Sequence, residues 1–115
     1  MPLPQAVRDH AERLLFEFCL LRVPERMRSW YHLKFRTRLN TLTLYECRAP
    51  RDARSGQWTK SPCAQFRFDP EQAMWTLYWA GRNGRWFLYD DLAPTPDIAR
   101  LIAEVDANPG GVFFG

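Results

Sequence analysis

The side chains best suited to chemistry in this chain are four cations, Lys34, Arg36, Arg38 and Arg67, and four rings, Tyr45, Tyr78, Phe87 and Tyr89. In WYHLKFRTR the cations stand two residues apart, a strand spacing that lines them up on one face. With Asn83-Gly84 read as a two-residue hairpin loop, Tyr78 stands opposite Tyr89, and Phe87 and Tyr89 join the same face as Gln65 and Arg67. Cations at one end and flat rings at the other suit an anionic, ring-bearing ligand. Phosphates seek Lys and Arg, and unstacked bases settle on aromatic or guanidinium planes.

A second chemistry is nucleophilic. A Leu39-Asn40 hairpin pairs Arg38 with Thr41, and that register puts His32 opposite Cys47, a thiol beside an imidazole and several cations that would lower its pKa. No third orienting group or oxyanion donor accompanies the pair, so it reads as a neutral strand pair and the chain as a non-enzyme. Cys19, Cys47 and Cys63 are an odd number without a CxxC pair, which fits reduced thiols rather than disulfides or a zinc site. Asp90 and Asp91 are strand neighbours pointing to opposite faces and make no metal pair. The glycines sit at turns and a helix stop, leaving no phosphate loop. No metal and no cofactor is expected.

The elements that hold these side chains are legible from periodicity. Val7, Ala11, Leu14, Leu15, Phe18 and Leu21 recur at helical spacing between Pro4 and Pro24. From Trp30 the period is two: Tyr31, Leu33, Phe35 and Thr37 alternate with the cations, and Leu42 and Leu44 alternate with Thr41, Thr43, Tyr45 and Cys47. Arg48 to Ser61 reads as a long basic connection carrying Arg48, Arg51, Arg54 and Lys60, able to close over a ligand, with Trp58 plugging the core. A three-strand meander follows, its core face collecting Phe66, Phe68, Trp75, Leu77, Trp79, Trp86 and Leu88. Thr95 is expected to cap a last helix with Pro96 at its first position and Ile98, Leu101, Ile102 and Val105 as its apolar stripe. The fold class is α+β: a five-stranded antiparallel meander with an N-terminal and a C-terminal helix packed on one face, residues 1–115 forming a single domain.

Composition is that of a globular protein: 46% hydrophobic and 25% charged residues, with a net charge of +3. The balance is uneven. Residues 1–60 carry twelve Lys and Arg against six Asp and Glu, whereas residues 61–115 carry four against seven. A basic front half attracts phosphates or an acidic partner. No apolar run approaches the roughly 18 residues of a membrane span, and the charged start of the chain is no signal peptide, so a cytoplasmic location is expected.

The motifs SPCAQFRFD, WTLYW followed by RNGRW, PTPD before the last helix, and the closing GVFFG resemble a family of small bacterial proteins catalogued only as a domain of unknown function. The resemblance covers nearly the whole chain. It implies a bacterial stand-alone domain and no particular activity. The functional expectation therefore rests on the basic and aromatic face. Its first form is a protein contact, with homodimerisation covering the exposed Phe87 and Tyr78. The alternative is single-stranded RNA or DNA bound through the same face.

Overall fold

A computed structural model describes residues 2–51 and 56–115. Helix α1 (Gln5–Arg22) starts after Pro4 and stops where Val23 turns extended ahead of Pro24. Five strands follow: β1 (Tyr31–Arg38), β2 (Thr41–Arg48), β3 (Thr59–Asp69), β4 (Met74–Ala80) and β5 (Trp86–Leu88). Helix α2 (Ile98–Ala107) closes the order. The strands form one antiparallel sheet in the order β1-β2-β3-β4-β5, a meander with both helices on one side. This is the α+β fold expected.

One face of the sheet and the inner stripes of the helices make a single core. Leu15 and Cys19 of α1 and Ile98, Leu101 and Val105 of α2 pack with Leu33, Leu42, Leu44, Phe66, Phe68, Trp75 and Leu77. Polar clamps fix the helices over the sheet. The Thr37 hydroxyl donates to Glu12 of α1, and the Tyr89 hydroxyl donates to Glu104 of α2 at 2.5 Å. Arg22 joins the two helices, donating to the Asp106 carboxylate at 2.6 Å while its guanidinium lies 4.1 Å over the Phe114 ring.

The β1–β2 register is the one read from the sequence, with Arg38 opposite Thr41, Lys34 opposite Tyr45 and His32 opposite Cys47. The next connection is shorter than expected because β3 begins at Thr59. Between the pairs Leu44–Ala64 and Tyr45–Pro62 the register shifts, leaving Cys63 as an extra residue. That bulge changes the parity of β3. Lys60 and Pro62 thereby share a face with Gln65 and Arg67 although alternation alone would separate them. Pro62 is the signal for it, since proline inside a strand is confined to edges and bulges. Trp58, expected as a core plug, is 42% exposed, and its ring centroid lies 5.0 Å from that of His32.

The last hairpin departs from expectation by one residue. Ala80 pairs with Trp86, Trp79 with Phe87 and Tyr78 with Leu88. The Gly81 N–H donates to the Arg85 carbonyl at 2.8 Å, so the loop is Arg82-Asn83-Gly84, three residues rather than two. Asn83 and Gly84 take φ of 68° and 73°, the left-handed values for which this dipeptide was singled out. The odd residue exchanges the faces of β5. Phe87 stacks on Trp79 at 4.9 Å on the helix side, and Tyr89 is buried there, 5.2 Å from Phe113. Trp86 and Leu88, expected in the core, point to the open side.

Close contact explains the choice. A Cβ built on Gly81 would lie 2.2 Å from Cε2 of Phe87 and 2.7 Å from Cδ2, so the ring occupies the space that the glycine leaves. Gly81→Ala is expected to destabilise the protein by about 1–3 kcal/mol through overpacking. In a Phe87→Leu background most of that cost should vanish. Urea unfolding of the four proteins in the cycle measures the coupling, and a value near zero would show that the ring does not set the register.

The α2 cap also moves. Thr95 is held in an isolated bridge with Trp75, exchanging backbone bonds of 2.7 and 3.0 Å. Asp97 is the N-cap, its carboxylate accepting from the Ala99 N–H at 3.0 Å. At the other end Asn108 takes the left-handed conformation, and its side-chain oxygen accepts from the N–H groups of Phe113 and Phe114. These bonds fold the apolar tail back onto the body.

Candidate ligand-binding face

The side of the sheet away from the helices carries, from β1 to β5, His32, Lys34, Arg36 and Arg38; Thr41, Thr43, Tyr45 and Cys47; Lys60, Gln65 and Arg67; Thr76 and Tyr78; Trp86 and Leu88. Register and alternation settle this membership. Of the eight side chains singled out from the sequence, Lys34, Arg36, Arg38, Tyr45, Arg67 and Tyr78 share the face. Phe87 and Tyr89 do not. The hairpin register turns both to the helix side, where the Tyr89 hydroxyl is committed to Glu104. Trp86 and Leu88 take their place at the β5 end, with Leu88 52% exposed.

The centre of the face is a hydrogen-bonded ladder. The Arg67 Nε donates to Gln65 Oε1 at 2.7 Å, and the Gln65 Nε2 donates to the Thr43 hydroxyl at 2.9 Å. The Arg67 guanidinium lies over Tyr78 with its carbon 3.7 Å from the ring centroid. A guanidinium fixed by its Nε and by a ring beneath it keeps its terminal nitrogens and its outer plane for a ligand. Lys60 sits 4.5 Å over the Tyr45 ring in the same manner. Glu46 lies on the opposite face and accepts from the Tyr31 hydroxyl at 2.7 Å, with Arg48 at 3.1 Å. Among the described strand residues, Asp69 is the one carboxylate on the open face, and its oxygen is engaged by the Glu71 N–H.

Two further members could not be assigned to the face by strand alternation alone. Lys60 reads as a loop residue until the Cys63 bulge is known. Trp58 lies next to His32 and extends the aromatic surface at the β1–β2 end. Arg54 of the same connection lies outside the described residues.

The thiol beside His32 is not an activated one. His32 and Cys47 are strand partners, but Cys47 is buried at 3% exposure, and that burial pushes its pKa up against the opposing pull of Lys34 and Lys60. A thiol held protonated is a poor nucleophile. Among the described residues no three His, Cys, Asp or Glu side chains are grouped to hold a metal ion, and no helix is long and apolar enough to cross a membrane.

Residues 3–115 match the family model described as domain of unknown function (DUF3024), and the chain belongs to that family. No curated protein and no solved structure matches it.

Proposed function

We propose that this member of the family is a non-enzymatic module that binds single-stranded nucleic acid across the open face of its sheet. The observation that carries the reading is the Arg67 guanidinium 3.7 Å over Tyr78, on a face that also carries Lys34, Arg36 and Arg38 along β1 and Lys60 at the far end of β3. Cations two residues apart on β1 stand about 7 Å apart, near the separation of successive phosphates in an extended strand. The Arg67 plane, Trp86 and the Trp58–His32 pair offer surfaces on which bases stack without sequence preference.

Homodimerisation through this face is weaker on physical grounds. Its sequence anchor, Phe87, lies on the other side of the sheet. Two copies laid face to face would also set five cations against five. Even at the dielectric of water, each like-charged pair at about 7 Å repels by roughly 0.6 kcal/mol. An anionic ligand removes that repulsion.

Fluorescence anisotropy with labelled single-stranded oligo(U) and oligo(dT) of about ten nucleotides tests the reading. Arg67→Ala is expected to weaken binding about tenfold and to reduce the slope of log K against log salt by about 1. Tyr78→Ala should cost a similar factor. Arg100→Ala, on α2, should change nothing. An unchanged anisotropy at low salt would remove the proposal. A dimer seen by light scattering and dispersed by Trp86→Glu would restore the protein-contact reading in its place.

A further inference from the structure

The two edges of the sheet differ. β5 is three residues long, whereas β1 runs for eight residues with its outer side unpaired among the described strands. A long free edge is a template for another strand. Beside it lies a groove of about 230 Å³ lined by Phe16, Cys19 and Leu20 of α1 and by Leu33, Lys34 and Phe35 of β1. Phe16 and Leu20 are 58% and 41% exposed, although a helix that covers a sheet ordinarily keeps such residues inside.

We propose that the β1 edge and this groove receive an extended peptide of a partner protein, one in which apolar and acidic residues alternate, added as a sixth strand. Alternation is dictated by the two sides of the edge. Side chains of the incoming strand on the helix side meet Leu33, Phe35, Phe16 and Leu20. Those on the open side stand opposite Lys34, Arg36 and Arg38, and only carboxylates are stabilised there. The charge pattern excludes a second copy as occupant, because pairing β1 with its own duplicate sets cations directly opposite cations. Glu12, at the Thr37 end of the groove, is already neutralised by Arg8 at 3.2 Å and bonded to the Thr37 hydroxyl. Glu17 lies on the other flank of α1, with Leu14, Phe18 and Leu21. The edge therefore meets the incoming strand as a cationic and apolar surface.

The probe is a fluorescein-labelled peptide of repeated Val-Glu, with repeated Val-Lys as its control. The Val-Glu peptide is expected to bind with an affinity that falls as salt rises, and the Val-Lys peptide to show none. Phe16→Asp, at an exposed site that leaves folding intact by circular dichroism, should weaken binding about tenfold or more, and Arg36→Glu likewise. Arg67→Ala, away from the edge, should leave it within about twofold of the native value. That last variant separates this site from the nucleic-acid face, which it is expected to impair. Three results would overturn the proposal: no binding of the Val-Glu peptide up to about 1 mM at low salt, undiminished binding by Phe16→Asp, or a dimer in light scattering that Phe16→Asp disperses.

Discussion

Between pH 9 and pH 12 the protein is expected to lose its fold cooperatively, and the buried thiols are expected to drive the loss. Burial pushes Cys19 from an ordinary 9.0 up to about 12 and raises Cys63 still further, with the Glu46 carboxylate adding to the burial of Cys63. Cys47 is raised as well, again by burial first. Tyr31 is raised by burial and then by its bond to Glu46, and Tyr89 first by its bond to Glu104 and then by burial. A folded-state pKa above the unfolded value means that the folded form binds the proton more tightly. The stabilisation is complete below the unfolded pKa and drains as pH rises towards the folded one. Each of the buried thiols Cys19 and Cys63 then costs about 1.4 kcal/mol per pH unit while it is deprotonated in the unfolded chain and protonated in the folded one. Cys19 and Cys63 together remove about 3 kcal/mol per unit from roughly pH 9, against a total of about 5–15 kcal/mol for a domain. Urea unfolding at successive pH values, under reducing conditions, gives the slope directly. Cys19→Ala should lower that slope by about 1.4 kcal/mol per unit whatever it does to stability at neutral pH. A slope unmoved by Cys19→Ala would assign the alkaline loss elsewhere.

The element order and most of the register were legible because each rests on a local rule. Leu39-Asn40 leaves room for one tight loop, and alternation on both sides of it then pairs every residue from Tyr31 to Arg48. What escaped was parity. In Gly81-Arg82-Asn83-Gly84-Arg85 the dipeptide that favours a left-handed turn is in place, but whether two or three residues form the loop depends on the Phe87 ring lying over Gly81, a contact between strands. That one residue moved Phe87 and Tyr89 off the candidate site and Trp86 and Leu88 onto it. The cap of α2 failed for a related reason. Thr95 and Asp97 are both capping types, and the backbone exchange between Thr95 and Trp75 leaves Asp97 to do the capping. The cations of β1 were never in doubt, because their face is fixed by Leu33 and Phe35 having to be inside.

Phe66→Ala is expected to cost about 3–5 kcal/mol. Phe66 is wholly buried, paired with Leu42 on one side and Leu77 on the other, both also buried to within 1%. No neighbour of that row can collapse into the gap without leaving its own strand, so the cavity persists. For a chain of this length the loss corresponds to a fall in Tm of about 12–20 °C, measurable by calorimetry. Trp86→Ala removes a larger ring from a strand of the same sheet, yet is expected to cost less than about 1 kcal/mol, as a half-buried residue on a face with no helix above it. The two substitutions separate the sheet's two faces by what each ring is for. Oligonucleotide affinity should fall with Trp86→Ala by about tenfold, and should survive in whatever fraction of the Phe66→Ala protein stays folded. If Trp86→Ala instead destabilised the protein as much as Phe66→Ala, the open face would be a second core awaiting its cover, and the nucleic-acid reading would fall with it.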